Sequence, residues 1–271
     1  VISGSGTVAR MSYFSRASER SFRANERAGG AWNLAEQHIA PSFGLLTHAI
    51  ETDRDVRGQG DLVIGRLSFD ILGPVPVDVV EDVEVRVLRP GRTIELVEAT
   101  LAHQGRAVVL ARAWLMKRYD TSAVRGSGLS PIPPPTDMPD WNPSSVWPGG
   151  FIASAEVRRA QTEPGRAVYW VRSGVPLLDG EPVSSLARVA GLLDIANGMT
   201  VRVDPREVAF PNLDLTAHFF AEPRGEWVGF DTAVSIGSGG IGLTHSIIHD
   251  ETGPIGAVSQ SLTVRPGAGL A

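Results

Sequence analysis

The sequence predicts an α+β protein made of two similar units, each a long antiparallel sheet wrapped around one central helix. Three observations predict it. A stretch rich in proline, glycine and serine, DTSAVRGSGLSPIPPPTDMPDWNPSSVWPGG, divides the chain near its middle. On each side of it one helix-periodic segment is followed by a run of β-branched segments with turn signals between them. The last strand pairs of the two halves also echo each other: PGRTIELVEATLAHQGRAVVLARAWLMKR (90–118) and SGGIGLTHSIIHDETGPIGAVSQSLTVRP (238–266). The units are therefore expected at 1–120 and 151–271, with a linker over 121–150.

The elements follow in order. PSFGLLTHAIE (41–51) is expected as a helix starting at a proline, a residue at home in a first helical turn. Residues 62–88 then read as two strands, and 90–118 as two more joined at HQGR. In the linker, prolines at 131, 133, 134 and 135 supply no backbone donors and favour an extended path over the surface, with Trp141 and Trp147 as its anchors. In the second unit EPVSSLARVAGLLDIANGM (181–199) is expected as one helix, with Pro182 near its start and Asn197-Gly198 as its stop. Leu186, Val189, Ala190 and Leu193 form its apolar stripe. Ala187, Gly191, Asp194 and Gly198 form a stripe of small residues that suits close approach to a sheet. Strands over 213–236 and 238–266 complete the unit, the first pair ahead of HDETGP and the run GSGG (237–240) acting as a hairpin turn.

Composition limits the function. The chain has 271 residues, 42% of them hydrophobic and 20% charged, which is globular composition with room for full cores. A net charge of −5 with mixed signs offers no basic stripe for nucleic acid. Without cysteine there is no disulfide, thiolate metal site or cysteine nucleophile, and a reducing, cytoplasmic setting is expected. The N-terminal VISGSGTVARMSYF lacks the pattern of a secretory signal; Val1–Gly6 reads as an expression remnant, with the native chain starting near Met11. No apolar run approaches the ~20 residues of a membrane-spanning helix. His245 and His249 share a strand face in HSIIH, but four strand residues span about 13 Å, too far for one metal. No G-x-S-x-G elbow or P-loop lysine is present.

One residue breaks the strand pattern. In GAVSQSLTVRP the side carrying Val258, Leu262 and Val264 faces the interior, and Gln260 lies on that same side.

The ordered segments HIAPSFGLLTHAIE, the block ending AWLMKR, the proline-rich linker, SSLARVAGLLDIANGM, FPNLDLTAHFFAEPRGEWVGFDT and GPIGAVSQSLTVRP resemble those of the acyl-CoA thioesterase II (thioesterase-B-like) superfamily. The resemblance covers about Phe14 to Pro266 and implies a tandem, or double, hot-dog fold. It also implies a hydrolase that cleaves acyl-CoA to free acid and CoA. The family's catalytic set maps onto Asp194, onto Gln260 and onto Asn212, which stands where the family has Ser or Thr. Asparagine keeps the ability to donate and accept a hydrogen bond. Ala113 matches Gln260 in the first unit, so one active site per chain is implied. Backbone N–H groups of Phe43 and Gly44, at the start of the first helix, are the expected oxyanion donors. The expected partner is an acyl-CoA, with CoA entering as part of the substrate and no cofactor, metal, nucleic acid or membrane. Monomer and homo-oligomer are both compatible with the doubled unit. Arg89, Arg92 and Arg224 are available for CoA phosphates. Two rivals stand beside this reading: a non-catalytic acyl-CoA or fatty-acyl binding protein, motivated by Asn212, and a hydratase, for which no matching Asp–His loop is found.

Overall fold

The computed structural model describes residues 12–270. The expectation for Val1–Gly6 and a start at Met11 lies outside the described residues.

The first unit runs β1 (Phe14–Arg16), β2 (Ser21–Ala24), α1 (Ile39–Val56), β3 (Leu62–Ile71), β4 (Val80–Arg89), β5 (Ile94–His103) and β6 (Arg106–Lys117). After it come β7 (Asp140–Trp141) and the single turn α2 (Gly150–Ala153). The second unit repeats the pattern with β8 (Ala155–Glu163), β9 (Arg166–Ser173), a broken helix, β11 (Asp214–Phe219), β12 (Val228–Ile236), β13 (Ile241–Asp250) and β14 (Gly253–Thr263). Two short strands, β10 (Val208–Ala209) and β15 (Arg265–Pro266), pair separately.

All the longer strands join one antiparallel sheet of 13 strands, ordered β1-β2-β4-β5-β6-β3-β11-β14-β13-β12-β9-β8-β7. The units meet at β3 and β11, where Ser68 lies opposite Thr216. On either side of that seam the strand order reads the same outward, so a pseudo-twofold axis relates the units. This is a double hot-dog fold: each half-sheet curls round its own helix, and the joined edges leave neither unit with an open edge at the seam.

Local chemistry explains the boundaries. Helix α1 begins two residues before Pro41, because the His38 ring accepts the Ala40 N–H at 3.2 Å and caps the first turn. It continues past Glu51 to Val56, where the Arg57 N–H closes on the Asp53 carbonyl. At HQGR the β5–β6 hairpin turns through Gln104 and Gly105, both at positive φ (50° and 75°).

The second helix departs from expectation. It is divided into α3 (Ser185–Ala190), a 3-10 turn (Leu193–Ile195) and α4 (Ala196–Met199). Its small-residue stripe also meets a helix rather than a sheet. A Cβ on Gly44 of α1 would lie 2.8 Å from the Ala187 carbonyl oxygen and 3.1 Å from the Gly191 Cα. Glycines on both sides let the two central helices cross in backbone contact. Gly198, further along the stripe, packs under the ring of Trp147, whose Nε1–H donates to the Gly198 carbonyl at 2.8 Å.

The segment between the units covers the outer face of the second half-sheet. Trp170 Nε1–H donates to the Pro133 carbonyl at 2.7 Å, and His249 Nε2 lies 3.1 Å from the Ser130 carbonyl. Met138, Trp170 and Trp227 form a small apolar cluster there, with Ile132 beside it. Trp141 is half-buried beneath Arg159, whose guanidinium sits 4.3 Å from the ring centre. His245 stays exposed and bonds Ser259 Oγ at 2.9 Å, so the two histidines of HSIIH have separate environments.

Candidate functional site

Asp194 lies in the 3-10 turn that interrupts the second helix, and the residue is almost wholly buried, at 5% exposure. The interruption follows Gly191, and it turns the carboxylate toward two amides delivered by strands. Asn212 precedes β11, held there by an isolated bridge to Leu262 of β14. Its Nδ2–H donates to Asp194 Oδ1 at 2.6 Å and to the Asp214 carbonyl at 3.1 Å. Gln260, in the middle of β14 and 1% exposed, donates through Nε2–H to the same Oδ1 at 2.9 Å. The structure thus brings Asp194, Asn212 and Gln260 together, three residues spread over 67 positions of chain.

Asp194 Oδ2 faces the other unit. His38 Nδ1 stands 3.9 Å from it. This is not an ion pair. Nδ1 already accepts the Ala40 N–H, which leaves the ring proton on Nε2, and burial pushes the His38 pKa down to about 3. The ring packs on Phe151, centroids 4.3 Å apart. Burial raises the Asp194 carboxyl to about 7, against the pull of the Asn212 and Gln260 hydrogen bonds, which favour the carboxylate. A carboxylate poised there is half ionised near neutrality, the condition for a general base.

A cleft of about 600 Å³ opens onto Asp194 and Asn212 between the units, walled by His38, Ile39, Ile71, Val75 and Pro211, with Arg265 among its lining residues. Phe43 and Gly44 do not line it. They lie in the second turn of α1, buried, where α-helical geometry commits their N–H groups to carbonyls four residues back, and Gly44 is occupied by the crossing with α3. Arg89, Arg92 and Arg224 are not among the lining residues either. Sequence reasoning missed His38 and Arg265. For His38 the usable signal was a polar side chain just ahead of a helix start; Arg265 carried no local signal.

A second cleft, about 650 Å³, occupies the pseudo-twofold position and is lined by Glu51, Ile64, Ser184 and Phe219 among others. The two halves match here through GLLT (44–47) and GLLD (191–194), the leading glycines being those that touch at the helix crossing. Thr47 stands where the second unit has Asp194, and its hydroxyl donates back to the Phe43 carbonyl at 2.8 Å. Ala113, paired with Val97, stands where Gln260 pairs with Thr244. The larger cleft therefore lacks the polar set of the smaller one.

Among the described residues no group of three or more His, Asp or Glu is placed to hold a metal ion, and no helix is long and apolar enough to cross a membrane.

Residues 29–116 match the family described as acyl-CoA thioesterase N-terminal domain, and residues 131–264 match acyl-CoA thioesterase C-terminal domain. The chain belongs to the acyl-CoA thioesterase family. It is a thioester hydrolase. Among solved structures, an acyl-CoA thioesterase II from Mycobacterium marinum superimposes with a TM-score of 0.65 at 17% identity, covering 93% of this chain and 96% of the other. A hot-dog protein of unknown function from Alicyclobacillus acidocaldarius gives 0.72 at 16% identity, with 95% and 97% covered. The TesB protein of Mycobacterium avium subsp. paratuberculosis gives 0.62 at 18% identity, with 93% and 96% covered. At these identities the likeness concerns the fold. No curated protein matches the chain.

Proposed function

We propose that this acyl-CoA thioesterase hydrolyses an acyl-CoA to free acid and CoA by water attack, at one site per chain, with Asp194 as general base. The observation that carries the reading is the double donation to Asp194 Oδ1, which leaves Oδ2 as the oxygen able to take a proton from water in the cleft. Water loses that proton as its oxygen bonds the thioester carbonyl carbon. The tetrahedral intermediate then collapses, the C–S bond breaks, and Asp194 returns the proton to the leaving sulfur. Protein groups and water carry every step.

The developing oxyanion needs an N–H that is not already spent. Ile39 lines the cleft, and it is the first residue of α1, in the turn whose N–H groups have no partner within the helix. Ile39 N–H takes this role in place of Phe43 and Gly44. Arg265 is the cation of the cleft lining, suited to a CoA phosphate. The acyl group meets the apolar wall of Ile71, Val75 and Pro211.

The binding-protein reading was motivated by Asn212, and Asn212 makes the hydrogen bond to Asp194 that a hydroxyl residue would otherwise make. The test is a panel of acyl-CoAs assayed for free thiol, with Asp194→Asn beside the native protein. Thiol release lowered at least tenfold in the variant supports the proposal. Undiminished release removes Asp194 from the mechanism, and tight acyl-CoA binding with no release returns the non-catalytic reading.

A further inference from the structure

The inner face of the second half-sheet is polar where that of the first is apolar, position for position. Thr232 pairs with Ser246, and Thr244 pairs with Gln260. At the pseudo-twofold counterparts Val85 pairs with Ala99 and Val97 with Ala113. All four polar residues are buried, at 1% exposure or less. Burying hydroxyls and amides in a core costs free energy unless each finds a partner.

Thr232 and Ser246 satisfy one another, hydroxyl to hydroxyl at 2.7 Å. The other pair is incomplete. Gln260 spends its Nε2–H on Asp194, while its Oε1 and the Thr244 Oγ1 are both buried without a partner. Across the sheet Thr244 has Val234 on one side and Gln260 on the other. Valine offers no polar atom. Directly opposed side chains on one sheet face have Cβ atoms about 4.5–5.5 Å apart, within reach of a hydroxyl or of one bridging water.

We propose that Thr244 is a positioning residue for hydrolysis: its hydroxyl donates to Gln260 Oε1, directly or through one water, and so holds the Gln260 Nε2–H on Asp194. An amide has two faces of opposite polarity. Anchored at Oε1, Gln260 can present only its N–H edge to the carboxylate. Unanchored, it is free to swing away or to turn its oxygen toward Asp194, which repels the charged form. One hydroxyl thus satisfies two orphaned atoms and fixes the orientation of a third group. The pair exists only in the unit that carries Asp194, as this role requires.

The inference rests on Asp194 being the base, and its test separates the two ideas. Thr244→Val removes the hydroxyl at constant shape, and Thr244→Ser keeps it. The valine variant should lose about tenfold in kcat with KM within twofold, and the acidic limb of its pH profile should move to higher pH. The serine variant should stay within about threefold of native. The carboxyl ¹³C titration of Asp194 reads the same link without turnover and should move upward in Thr244→Val. If that variant does not fold, Thr244→Ala serves in the same comparison. A valine variant with native kcat and native titration overturns the proposal, as does a serine variant as impaired as the valine one. Should the native protein release no thiol from any acyl-CoA, the hydrolase reading falls and the titration alone decides for or against Thr244.

Discussion

Asn212 and Gln260, 48 positions apart in the chain, donate to the same oxygen of Asp194 at 2.6 and 2.9 Å. Each bond stabilises the carboxylate, yet burial dominates and holds the group near 7. The site is therefore a balance between a dry location that resists charge and two amides that invite it.

The first consequence is a pH dependence. Asp194 acts as base only when ionised, so kcat should rise through about pH 7 and level off above it. Thiol release measured from pH 5 to 9 checks this. A flat profile over that range would remove the buried carboxylate from the rate-limiting step.

The same shift has a stability consequence. The folded value of about 7 lies above the ~3.9 of an unfolded aspartate. Between those values the folded protein retains a proton that the unfolded chain has lost, so this group's contribution to stability falls as pH rises, and the loss is complete above about 7. Asp194→Asn cannot ionise. It should be more stable than native at pH 8, by on the order of 4 kcal/mol, and nearly indistinguishable from it near pH 4. Thermal melts at the two pH values measure the difference.

Removing one donor should move the acidic limb. In Asn212→Ala the carboxylate loses a charge-assisted hydrogen bond, worth roughly 1.5–3 kcal/mol, and burial acts less opposed. The limb should move up by about one pH unit or more. Asn212→Ser, which puts a hydroxyl donor in place of the amide, should bring it partly back. An unchanged limb in the alanine variant would show that the 2.6 Å bond does not tune Asp194.

The helix crossing admits no side chain. Gly44→Ala puts a methyl 2.8 Å from the Ala187 carbonyl oxygen and 3.1 Å from the Gly191 Cα. Neither is a movable side-chain end, so the helices must separate. The expected cost is about 1–3 kcal/mol, read as a lower urea midpoint with the slope unchanged. Because the crossing lies between Asp194 and the start of α1, where the proposed oxyanion donor Ile39 sits, kcat should fall with it.

Some of this was legible along the chain and some was not. Alternation marked Gln260 as an inward-facing amide, because strand periodicity is a local property. The doubling of the fold was visible in repeated order. The helix over 181–199 was legible only as an amphipathic pattern; its break at Gly191 was not, since two broken turns and one continuous helix present nearly the same stripes. The oxyanion expectation failed for a related reason. Pro41 looked like a first turn, but His38 caps the helix earlier and moves Phe43 and Gly44 into its interior.

What the sequence by itself determined is one helical segment in each unit, the four strands that follow it, their order and the inward face of Gln260, all consequences of neighbours within a few residues; the strands ahead of each helix, β1, β2, β8 and β9, were not read from it. Only the tertiary structure decided which faces meet. It set two glycines 147 positions apart against each other, converged a helix break and two strands on one carboxylate, and placed a histidine of the other unit beside it. The reason is physical: burial and hydrogen bonding at Asp194 depend on groups contributed by distant segments, and no local pattern encodes their distance.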